Sequence, residues 1–186
     1  MIRSQDGHDA SRRTVLAGAG LFIGAVGLAG RAGAAENPAG DVAVMQGALA
    51  LEHEGIAAYR LAGASGLLQP DTLKVALIFM GHHEQHRDAL ANLIRKAGGK
   101  PVEPKADPDY VKELNLGALK SQADVVKLAT QLELGATNAY AGQVAALQDP
   151  QLAHLFTQLS ADEAVHWTTL NNAAATPIPA KAFLFG

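Results

Sequence analysis

Leu51-Glu52-His53 is followed by Tyr59, and Leu132-Glu133-Leu134 by Tyr140, so a Glu precedes a Tyr by seven residues in two separate stretches. Downstream of the first lies His83-Glu84-Gln85-His86-Arg87-Asp88-Ala89-Leu90. Downstream of the second lies Glu163-Ala164-Val165-His166-Trp167-Thr168-Thr169-Leu170. The separations agree as well: Glu52 to His86 is 34 residues and Glu133 to His166 is 33. A Glu, then an acid or His three residues ahead of a His, is a metal-ligand spacing, because helical residues three and four apart share a face. Here it is written once in each half of the chain.

Around these stretches, four long segments carry a helical period with punctuation at their ends. The first runs from about Asp41 to Gly63. Pro70-Asp71-Thr72 opens the second, which ends at the C-cap signal Gly98-Gly99. Ser121 with Asp124 three residues on marks the start of the third, and Asp149-Pro150, an N-cap followed by Pro, opens the fourth. Helices of roughly 22–28 residues are about 33–42 Å long at 1.5 Å per residue, a bundle length. The first two are joined by a short loop and the last two by almost none, so each pair is an antiparallel hairpin. Between the pairs lies Gly99 to Lys120, with Pro101, Pro104 and Pro108. It is long enough to travel the length of a bundle, with one short helical turn at Asp109 to Leu114. Thr176 to Gly186 is expected to lie as a tail on the bundle.

The polar residues of the repeat fall on the apolar seams. Helix 1 presents Met45, Leu49, Glu52, Ile56 and Tyr59, and helix 2 presents Ala76, Phe79, His83, His86, Leu90 and Leu93. Helix 3 presents Val126, Ala129, Glu133, Ala136 and Tyr140, and helix 4 presents Leu152, Leu155, Leu159, Glu163, His166 and Leu170. These charged groups therefore point inward. A buried ionised carboxylate without a partner is costly, so three Glu and three His converging at mid-bundle need a common one. A pair of divalent cations supplies it.

Composition narrows the chemistry further. The chain is 48% hydrophobic but only 5% aromatic, so its core is built from Leu, Ala and Val. It has no cysteine, which excludes disulfides and thiolate ligands and leaves imidazole and carboxylate. The formal net charge is −3 with no basic block beyond the first 31 residues, so nucleic acid is not an expected partner. Ser11-Arg12-Arg13-Thr14-Val15-Leu16 reads as a twin-arginine export signal, followed by an apolar run from Val15 to Gly30 and by the small residues Ala32-Gly33-Ala34. The run is too short and too rich in Gly and Ala for a comfortable membrane span. The expectation is a signal over residues 1–34, a mature domain over 35–186, and a periplasmic or otherwise exported protein with no permanent membrane span.

The pattern resembles the ferritin-like carboxylate proteins: ferritin, bacterioferritin, rubrerythrin and the exported ferritin-like domains. Their motif is one Glu from each of two helices and Glu-x-x-His from each of the other two. Glu133 and Glu163-x-x-His166 match outright, and Glu52 and His86 match by repeat register, over roughly residues 40–175. The resemblance implies an all-α, ferritin-like antiparallel four-helix bundle, two hairpins joined by one long crossover. It implies a dinuclear site with ligands Glu52, His83, His86, Glu133, Glu163 and His166, Glu52 and Glu133 bridging and His86 and His166 terminal. The cofactors expected are two divalent metal ions, iron first, with manganese or zinc as alternatives. O₂ or peroxide is the expected partner, with Fe(II) oxidation or peroxide removal as the chemistry. A homo-oligomer is an open expectation. The alternative is a non-catalytic envelope or stress-related bundle with a structural or lost metal site.

One position departs from the motif. Where the pattern has a helix-2 Glu, this chain has His83, and the neighbouring Glu84 lies about 100° round the helix. His83 is expected to face inward, leaving three carboxylates where the family has four. Tyr59 and Tyr140 either hydrogen-bond a ligand or fill the core. Asp162, and by repeat His82, are candidates to accept from a ligand imidazole. His53 and His154 fall off the seams and read as surface residues, and Trp167 as packing.

Overall fold

The computed structural model describes residues 38–186. The export-signal expectation falls on residues 1–34 and lies outside them. Four long helices, α1 (Pro38–Gly63), α2 (Pro70–Lys96), α4 (Gln122–Gln143) and α5 (Pro150–Ala173), are 26, 27, 22 and 24 residues long. A short α3 (Asp107–Glu113) lies between the pairs. No strand occurs among the described residues. α1 packs along α2 and α4 along α5, and α1 also faces α4.

The helix ends are built by the residues the sequence singled out. Pro70 and Pro150 each occupy the first turn of their helices, where a missing N–H costs nothing. Ser121 accepts from the Asp124 N–H at 3.2 Å, and Asp149 accepts from the Gln151 N–H at 2.7 Å. At the end of α2, Gly98 adopts φ +79, which favours glycine. Its N–H donates to the Arg95 carbonyl at 2.9 Å, and the Gly99 N–H donates to Ile94 at 2.8 Å. This is the Schellman pattern. α1 begins three residues earlier than expected. Its buried Asp41 accepts from the N–H groups of Gln148 and Asp149 at 2.9 and 3.0 Å, pinning the start of α1 to the α4–α5 turn.

The crossover runs along α1. Gln46 holds Lys100 and Val102 through its amide at 2.6 and 2.8 Å. His53 donates from Nε2 to the Val102 carbonyl at 3.1 Å, and Arg60 pairs with Asp107 at 2.5 Å. His53 is thus half-buried beneath the crossover rather than a free surface residue. At the C-terminus, Phe185 meets Trp167 edge-on at 5.2 Å, and the Gly186 N–H donates to Asn138 at 3.0 Å, so the tail lies on the bundle.

Two apolar clusters sandwich a polar band. One contains Met45, Leu49, Leu90, Ile94, Phe156 and Leu159, and the other contains Tyr59, Phe79, Val126 and Leu170. The buried seam takes Ile94 and Phe156 where the sequence reading had Leu93 and Leu155. The reason is the helical period. At about 100° per residue, Ile94 returns to within about 20° of His83 and Phe156 to within about 20° of Glu163. Leu93 and Leu155 are left about 80° away. Among the described residues, no helix is long and apolar enough to cross a membrane.

Candidate metal centre

Between the apolar clusters, Glu52 of α1, His83 and His86 of α2, Glu133 of α4, and Glu163 and His166 of α5 converge. None is more than 8% exposed. They form two overlapping groups, each with ligand atoms within 4.8 Å of one another: Glu52, His83, His86 and Glu163, and His83, Glu133, Glu163 and His166. All six candidate residues are therefore brought together. His83 faces inward, while Glu84 is half-buried and belongs to neither group.

Glu163 occupies the middle. Its Oε1 lies 3.2 Å from His86 Nδ1, and its Oε2 lies 2.9 Å from His166 Nδ1. Glu52 and Glu133, expected from sequence as bridges, each belong to only one group. The correction is geometric. Glu52 on α1 and Glu133 on α4 each have a ligand atom near one set of partners only, whereas Glu163 on α5 has atoms close enough to serve both groups.

His83 reaches both sides because its two nitrogens point apart. Nδ1 donates to Glu52 Oε2 at 2.8 Å, and Nε2 lies 3.4 Å from Glu133 Oε1. An imidazole at this position needs room. A β-carbon on Gly55 would come within 3.1 Å of the ring, so the glycine on α1 provides that room. The sequence reading missed Gly55, since a lone helical glycine carries no signal without its neighbour.

The surrounding contacts are reciprocal between the two hairpins. Tyr59 of α1 donates to Glu133 of α4, and Tyr140 of α4 donates to Glu52 of α1, both through very short hydrogen bonds. His86 Nε2 donates to Asp162 Oδ2 at 3.2 Å, and His166 Nε2 is hydrogen-bonded to His82 Nδ1 at 2.9 Å. Asp162 and His82 each stand one residue ahead of the first motif residue on their own helix and hold the histidine of the other. Fixing the outer ring nitrogen sets how the inner one points. Phe79 stacks on His166, with centroids 4.1 Å apart.

The electrostatics follow from burial and pairing. Burial works to lower the His83 and His86 pKa values, but their carboxylate partners outweigh it. His83 is held well above the ordinary histidine value and His86 is raised to about 10. His166 is raised for the same reason by Glu133 and Glu163. Burial pushes Glu52 and Glu133 up, and their histidine partners more than offset it, so both carboxyls lie below the usual range. Burial and the neighbouring carboxylates push both tyrosine hydroxyls well up, keeping them donors.

The residues fit a metal by a direct test. His86 Nδ1, Glu133 Oε2 and Glu163 Oε1 are buried and have no hydrogen-bond partner. Buried polar atoms are rarely left so. His86 Nδ1 and Glu163 Oε1 face each other at 3.2 Å without hydrogen-bond alignment. An imidazole nitrogen and a carboxylate oxygen directed at a shared space in this way suit a cation that takes the place of the imidazole proton.

The fold and cluster together define a helical bundle with a buried histidine–carboxylate centre, and the chain belongs to the ferritin-like domain family, whose profile matches residues 40–176. Among solved structures it is similar to a conserved hypothetical protein, rv2844, from Mycobacterium tuberculosis. The two are 22% identical with a TM-score of 0.66, over 78% of this chain and 97% of that one. That likeness is one of fold. Comparison with curated proteins gave no match.

Proposed function

We propose that this is an exported metal protein that binds two divalent ions, iron first and manganese or zinc as alternatives, and uses them to oxidise Fe(II) or remove peroxide. The observation that carries the two-ion reading is the overlap of the two groups at Glu163 and His83, with the Glu163 oxygens facing His86 and His166 separately. Glu52 and His86 hold one ion, Glu133 and His166 the other, and Glu163 is shared, with His83 available to either. Bound iron or manganese supplies one-electron redox chemistry with O₂ or peroxide.

The chain's own residues prepare the site. Tyr59 and Tyr140 hold Glu133 and Glu52 in place, and the apolar clusters on either side exclude water. Ligation requires each imidazole to give up the proton on its inward nitrogen. Asp162 and His82, both exposed at the surface, accept from the outer Nε2 of His86 and His166, so each ring keeps its proton there and turns Nδ1 toward the carboxylates.

A second reading has its own support. Three protonated histidines would balance the cluster's three carboxylates without any ion, and the raised His83, His86 and His166 and lowered Glu52 and Glu133 values agree with that pairing. That is a salt-bridged core of a non-catalytic bundle. Elemental analysis of protein purified from its native compartment, followed by Fe(II) oxidation and peroxide assays, separates the two. Two ions per chain and turnover above the buffer rate support the metal-enzyme reading. A protein that takes up no ion from excess Fe(II), Mn(II) or Zn(II) refutes it and leaves the salt-bridged bundle.

A further inference from the structure

At the Tyr59–Phe79 end of the bundle, all four long helices surround a cavity of about 260 Å³. The opposite end is filled by Leu49, Leu90, Ile94 and Phe156. Here the corresponding walls carry small side chains: Ala58 and Ala62 on α1, Ala76 on α2, Ala129 on α4 and Ala173 on α5. The void is therefore written into the sequence as alanines at one end of the seams.

Water finds few partners here. A buried water needs two to four polar contacts, and of the four polar side chains on the lining only Asp71 and Thr72, near the start of α2, are not donating elsewhere. Tyr59 donates its hydroxyl to Glu133, and Thr169 donates to the Val165 carbonyl at 2.8 Å. The pocket is open to solvent past the exposed Asp71, Thr169 and Ala173, so its apolar walls face water. An apolar guest that displaces this water gains the burial of both apolar surfaces. Since a cavity of about 150 Å³ accepts benzene, this one has space for about ten heavy atoms. Its one carboxylate, the exposed Asp71 at the start of α2, repels a second anion at the rim.

We propose that this cavity is a binding site for an uncharged, hydrocarbon-rich molecule of about ten heavy atoms, whose inner end rests on Tyr59 and Phe79. These two rings form the partition from the metal centre, since Tyr59 holds Glu133 and Phe79 stacks on His166. The site does not depend on bound ions.

Calorimetric titration of the full chain with octan-1-ol and with octanoate tests the assignment, with metal content measured in the same samples. Octan-1-ol is expected to bind saturably, one per chain, and to raise Tm. Ala129→Phe, which fills the cavity from α4, is expected to weaken binding on the order of tenfold or more while metal content is unchanged. Ala76→Leu fills it from α2 and provides the same test should the first variant fold poorly. Octanoate is expected to bind about tenfold more weakly than the alcohol, the gap narrowing in Asp71→Asn. Unsaturable binding to the wild type, or undiminished affinity in the folded cavity-filling variants, overturns the site. Equal affinity for octanoate and octan-1-ol overturns its preference for an uncharged guest.

Discussion

Gly55 lies against the ring of His83, so closely that a β-carbon on it would stand 3.1 Å from both Nδ1 and Cε1. An imidazole in place of the family's carboxylate is thus matched by a missing side chain on the facing helix. Gly55→Ala gains helix propensity of up to about 1 kcal/mol but drives the ring from its place, and overpacking costs about 1–3 kcal/mol. The expected result is an unchanged or lowered Tm together with reduced metal uptake. In a His83→Ala background the same change should raise Tm. A double-mutant cycle showing additivity would mean the two residues do not interact.

Tyr59→Phe leaves Glu133 without its hydroxyl donor in a buried setting. The expected loss is about 1–3 kcal/mol of stability in the metal-free protein, measured by urea unfolding. Tyr140→Phe should cost a similar amount through Glu52, because the two contacts are reciprocal. A large effect from one and none from the other would show that the hairpins do not share the load.

Glu163→Gln removes the carboxylate common to both groups, whereas Glu52→Gln and Glu133→Gln each touch one. Metal titration should show Glu163→Gln binding no ion tightly and the other two variants retaining one. Retention of both ions by Glu163→Gln would contradict the shared-ligand assignment.

The pH dependence has opposite signs with and without metal. In the metal-free protein the histidines are raised above 6.5, His86 to about 10. Their contribution is complete below 6.5 and is lost as pH rises through the folded values. Glu52 and Glu133 are lowered from 4.5, so their contribution is complete above 4.5 and is lost as pH falls. Metal-free stability should therefore be greatest between 4.5 and 6.5 and decline towards about 10. Metal binding competes with those protons, so the stabilisation by added ion should grow over the same alkaline range. Melting curves in chelator and in excess metal, taken across pH, test both slopes.

Export is testable at the other end of the chain. Replacing Arg12 and Arg13 by Lys should hold the precursor in the cytoplasm, as seen by fractionation and by the size difference that cleavage near Ala34 produces. Unimpaired export of that variant would rule out the twin-arginine route.

The amino-acid order alone determined the four long helices, their pairing into hairpins and the six polar residues that meet inside. These rest on local information: Pro and Ser or Asp at helix starts, Gly98 at an end, and spacings of three, four and seven that put a side chain on one face whatever lies opposite. Only the tertiary structure decided which atoms face which. That Glu163 rather than Glu52 or Glu133 is shared depends on the rotation of α5 about its axis, which is set by packing across the bundle. The same holds for Tyr59 with Glu133, for Asp162 with His86, and for Gly55 opposite His83, all pairings between different helices. The cavity belongs here too. Each alanine lining it is an ordinary helix former, and only four helices brought together leave those small side chains facing one another across unfilled space.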